Sequence, residues 1–63
     1  MAEKLIKYYN FVAEKKGLQG KIELAKLTLM PGPKAAMEPD SPENISKFRA
    51  AVEKVTGEAA PKF

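Results

Sequence analysis

The chain has 63 residues, 44% of them hydrophobic and 30% charged, with eleven basic side chains against eight acidic ones and a net charge of +3. That length holds one domain, which buries only about 60% of the surface its unfolded chain exposes, so its core is small. Cysteine and histidine are both absent, which excludes disulfides, the commonest zinc ligand sets, a thiol nucleophile and an imidazole base.

The spacing predicts a first helix over 3–16. Glu3, Lys7, Asn10 and Glu14 share a polar strip, with Glu3 and Lys7 in the favourable i,i+4 order. Leu5, Tyr9 and Val12 form the apolar centre opposite, flanked by Ile6, Tyr8 and Ala13, with Phe11 to one side. That face is broader than one neighbouring helix covers. Lys15 and Lys16 suit the negative end of the helix dipole, and Gly17 is a terminator.

Residues 18–30 carry Leu18, Ile22, Ala25 and Leu29 at helical spacing. An Ile22-Glu23-Leu24 alternation reads as strand but slips phase before Leu27, and good helix formers outnumber β-branched residues. A helix over 19–29 is the expectation, with Gly20 marking either its start or a close backbone approach. Leu24, Leu27 and Met30 fall off the main stripe, so this element too is apolar on more than one side. Pro31-Gly32-Pro33 ends it and opens a Pro/Gly-bounded loop over 30–41. There Lys34–Met37 is expected to make a single turn, and Met37 to plug the loop into the core.

The third helix is the best marked. Ser41 is a favoured N-cap, Pro42 suits N1 and Glu43 meets the positive helix end. Ile45, Phe48, Val52 and Val55 recur on one stripe, and Gly57 stands where a left-handed C′ residue stops a helix. These signals predict a helix over 42–56. The expected fold is an all-α, three-helix domain over 1–57 with a flexible tail, 58–63. Its expected core is Leu5, Tyr9, Val12, Ile22, Ala25, Leu29, Ile45, Phe48, Val52 and Val55.

For function, the residues point away from chemistry. Ser41 is used as a cap, Ser46 falls on an outer face and the carboxylates are scattered, so no catalytic, metal or cofactor-binding residue is expected. Surplus apolar surface on the first two helices predicts a small interaction module that forms a homodimer or binds another protein, with Tyr8, Phe11, Leu24 and Leu27 as candidate interface residues. No run reaches membrane-spanning length and the start Met1-Ala2-Glu3-Lys4 lacks a signal-peptide apolar stretch, so a cytoplasmic protein without membrane insertion is expected.

The alternative is a nucleic-acid-binding accessory protein. Residues 1–30 hold six lysines against three glutamates, and Lys15, Lys16, Lys21 and Lys26 are the candidate phosphate-facing groups. Residues 24–37, with Ala25 at the packed position and Met30 in the turn, faintly resemble a helix-turn-helix. Leu29 departs from the turn glycine of that pattern, and Pro33 and Pro39 shorten the second helix.

Overall fold

A computed structural model describes residues 3–63; Met1 and Ala2, counted in the expected domain 1–57, lie outside the described residues. The elements are α1 (Glu3–Thr28), α2 (Gly32–Met37) and α3 (Pro42–Thr56), and no strand occurs among the described residues. As a straight rod the 26 residues of α1 would span about 39 Å. The longest dimension of the chain is 25 Å, so α1 has to fold back. It does so at Gly17, whose φ of 67° and ψ of −154° interrupt the helix. That combination lies in a backbone region essentially restricted to glycine. Gly17 thus divides α1 into a first arm, 3–16, and a second arm, 18–28, close to the two helices that the sequence predicts there.

Gly20 fixes how the arms cross. A Cβ at this position would lie 2.7 Å from Val12 Cγ1 and 2.6 Å from Lys16 Cβ. Only a residue without a side chain lets the arms meet so closely, as the close-approach reading of Gly20 anticipated. The face that turns inward is therefore Gly20, Leu24 and Thr28, all buried. Thr28 Oγ1 donates to the Leu24 carbonyl (2.7 Å) and accepts from the Met30 amide (3.3 Å). Tyr9 Oη donates to the Met30 carbonyl, tying the end of the second arm to the first.

Leu5, Tyr8, Tyr9 and Val12 meet Leu24, Met30, Ala35, Phe48, Ala51, Val52 and Ala60 in one core. The Phe48 ring is edge-on to Tyr9 at 5.7 Å between centroids. Two core expectations are corrected: Ile22 and Leu29 are exposed, because the crossing at Gly20 turns Gly20, Leu24 and Thr28 inward and leaves their stripe outside the core. Ala25, Ile45 and Val55 are only partly buried, packed at the edge of the core. Met37 is likewise not a plug. It is among the exposed side chains, and Ala35 is the residue of α2 that enters the core.

The caps hold each element in register. Ser41 Oγ accepts from the Asn44 amide at 3.2 Å, and Gly57, at φ 74°, donates its amide to the Glu53 carbonyl. The start of α1 has a cap from far along the chain: the Asp40 carboxylate accepts from the amides of Lys4 (3.1 Å) and Leu5 (3.4 Å). A carboxylate there also meets the positive helix end. The tail 58–63, expected to be flexible, has a seat on the first arm. Tyr8 Oη donates to the Pro61 carbonyl at 3.0 Å, Ala60 is buried, and Phe63 packs edge-on to Tyr8 at 4.9 Å. These contacts and α3 share the broad apolar face that one helix alone could not cover.

Candidate interaction surface

Once the core is closed, the apolar groups left over are concentrated on and around the second arm. Leu18 is 72% exposed, Ile22 41%, Leu27 48% and Leu29 77%. Leu18 and Ile22 share one outward stripe, with Ala25 at its core-side edge, and Leu29 follows where the helix ends. Leu29 adopts a φ of 60°, a left-handed conformation that costs an L-residue about 1–2 kcal/mol. Its amide donates to the Ala25 carbonyl at 2.8 Å, so it serves as the C′ residue of the arm. Glycine usually fills that role. Here a leucine does, with its side chain in water.

Leu27 and Leu29 also border a groove between the second arm and α3. One cavity of about 310 Å³ is lined by Leu27, Thr28, Leu29, Lys47, Ala50, Ala51 and Lys54. A second, of about 280 Å³, adjoins it through Leu27 and Lys54 and extends to Gln19, Glu23, Lys26 and Val55. The groove floor is apolar, with small alanines on the α3 side. Its rim carries Lys26, Lys47 and Lys54, all exposed, against one acid, Glu23. Among the described residues the ion pair formed is Lys15 with Glu58, at 3.7 Å, and the rim lysines take part in none.

Of the four interface residues expected from sequence, Leu27 alone is well exposed. Tyr8 and Leu24 are corrected: they are 1% and 0% exposed and belong to the core. The docked tail covers Tyr8, and the Gly20 crossing turns Leu24 inward. Phe11 is half-buried beneath Lys15, whose Nζ lies 5.7 Å from the ring centroid, and it lines a separate cavity with Lys7, Asn10, Glu14 and Phe63. The residues that sequence reasoning missed are Leu29 and Ile22, assigned to the core, and the α3 side of the groove at Lys47, Ala50 and Lys54. Gly20 was the available signal. A glycine four residues before Leu24 and eight before Thr28 marks the face of closest approach, and that face lies opposite the leucine stripe.

Burial raises the hydroxyl pKa of Tyr8, with the Arg49 charge opposing, and raises that of Tyr9, with a hydrogen bond involving Thr28 opposing. Both phenols are structural donors. The candidate lysines fall at different places: Lys15 engages Glu58, Lys26 rims the groove, and Lys16 and Lys21 stand exposed near the arm junction. Among the described residues no helix is long and apolar enough to cross a membrane. Comparison with protein-family models, with curated proteins and with solved structures gives no significant match.

Proposed function

We propose that this chain is a small interaction module without catalytic activity of its own, which associates with a second copy through the apolar surface around its second arm. The observation that carries the reading is the orientation of that arm. It buries Gly20, Leu24 and Thr28 and leaves Leu18, Ile22 and Leu29, a more apolar set, in water. The left-handed backbone at Leu29 adds support. A strained residue with an exposed apolar side chain is costly to the protomer twice over, and association relieves the exposure while the backbone strain remains.

Size supports the same reading. A standard interface takes about 800 Å² from each partner, about a fifth of the 4073 Å² that this chain exposes. The lysine-face alternative has less support. Lys15 is engaged with Glu58, and α2, at six residues, spans about 9 Å, too short to lie along a major groove.

Leu29→Gly separates association from folding. Glycine relieves the left-handed backbone, so stability rises by about 1 kcal/mol, while the lost side chain weakens self-association. Denaturant unfolding reads the first effect and sedimentation equilibrium the second. A variant that associates as the parent does argues against this surface, and a parent that is monomeric at millimolar concentration ends the self-association reading.

A further inference from the structure

We propose that the groove between the second arm and α3 receives Met37 of a second copy, with Glu38 and Glu43 of that copy facing Lys47 and Lys54. This rests on the self-association reading above and names the contact that makes it.

The two halves of the contact are both present on one chain. Met37 is 86% exposed, the most exposed of the large hydrophobic side chains among the described residues. It ends α2, a six-residue helix capped by Pro31, with Pro33 in its first turn and Pro39 just beyond its end, and anchored by Ala35, which is fully buried. Prolines on both sides restrict the backbone, so the methionine is presented on a stiff knob and little entropy is lost when it docks. Its unbranched thioether adapts to an irregular cavity. Glu38 follows it directly in the chain and Glu43 lies six residues on, in the first turn of α3; Asp40 between them is engaged in capping α1, and Lys34 is the one base of the segment 34–43.

The groove is complementary in shape and charge. Leu27, Leu29, Ala50 and Ala51 provide an apolar floor in a cavity of about 310 Å³. The three rim lysines, Lys26, Lys47 and Lys54, against Glu23 leave a net +2, and the segment 34–43, with Glu38, Asp40 and Glu43 against Lys34, carries −2 to meet it. Two grooves facing each other would set these lysines against their equals, which opposes association. The knob cannot fill the groove of its own chain, because α2 packs on α1 and makes no contact with α3. A second copy offers the acidic, apolar complement, so the contact is knob to groove. It closes as a reciprocal pair or propagates head to tail, according to the rotation relating the copies.

A charge exchange tests this directly. Lys47→Glu with Lys54→Glu makes the groove acidic; Glu38→Lys with Glu43→Lys makes the knob basic. Each double variant alone is expected to sediment as a monomer at a concentration where the parent associates. An equimolar mixture of the two restores association, since every knob again meets a groove of opposite sign. Circular dichroism and thermal unfolding establish that both variants are folded. Should either fail to fold, Met37→Ser at a solvent-exposed position serves instead and weakens association about tenfold or more. Association of either double variant at the parent's strength, a mixture that stays monomeric, or a Met37→Ser variant that matches the parent overturns the proposal and leaves the wider reading standing. A monomeric parent overturns both.

Discussion

Gly17 offers the most searching perturbation of the fold, because its role is conformational and free of packing. At φ 67° and ψ −154° it occupies a region where an L-residue is strained by about 1–3 kcal/mol, with the upper end expected this far from the left-handed helical basin. Nothing lies within 4 Å of a Cβ built there, so Gly17→Ala adds strain without a clash. Alanine also restricts the unfolded chain, which returns about 0.4–1 kcal/mol. The net loss is about 2 kcal/mol, a large share of the roughly 3–9 kcal/mol that a chain of this length possesses. The mirror-image residue reverses the sign. For D-alanine the same dihedrals are the reflection of the polyproline II basin, so the strain vanishes and the entropic gain remains. A 63-residue chain is accessible to chemical synthesis, and guanidinium unfolding followed by circular dichroism compares the parent with both alanine epimers. The chain with D-alanine in place of Gly17 is expected to be the most stable, the parent next and the L-alanine chain the least. An L-alanine chain that unfolds at the parent's midpoint, or epimers of equal stability, would refute the hinge.

Gly20→Ala is expected to destabilise by about 1–3 kcal/mol by overpacking against Val12 and Lys16, more than offsetting the roughly 1 kcal/mol gained in helix propensity; a double-mutant cycle with Val12→Ala should show coupling. Asp40→Ala removes the long-range cap of α1 and should cost about 1 kcal/mol, with amide exchange faster at Lys4 and Leu5 and unchanged in α3. Phe48→Ala, at the centre of the core and fully buried, should cost about 3–5 kcal/mol and leave little folded protein. Alkali provides a test through Tyr8 and Tyr9, whose hydroxyl pKa values are raised by burial. The unfolded chain releases these protons first, so their contribution is intact below about pH 10 and lost as pH rises through the folded-state values. Tyr9→Phe should flatten this alkaline loss, and phenolate absorbance should rise together with unfolding.

Local signals made the helices legible. Ser41, Pro42, Glu43 and Gly57 state the limits of α3 within its own sequence, and the structure places the cap and the left-handed stop at those residues. Gly17 likewise ends the first arm, although its dihedrals turn the chain directly into the second. What was not legible depends on contacts between segments. The stripe of Leu18, Ile22 and Leu29 satisfies helical periodicity better than Gly20, Leu24 and Thr28, yet closeness of approach decided the buried face and favoured the one with a missing side chain. The Asp40 cap joins residues 35 and 36 positions apart, and no local pattern announces it. Tyr8 was legible as apolar surplus but not as core, because its cover comes from Pro61 and Phe63 at the far end of the chain. The same rotation that hid Leu24 put Leu29 and Ile22 into the candidate surface.

The most direct test of the account is the mass of the unmodified chain in solution, followed by sedimentation equilibrium or light scattering across a wide dilution series. We expect assemblies heavier than the 6.9 kDa protomer at high concentration, dissociating on dilution, with added salt shifting the balance toward the protomer because the rim lysines contribute through exposed charge. A mass of 6.9 kDa at every concentration would contradict the account, and would mean that the leucines of the second arm face water without a partner of their own kind.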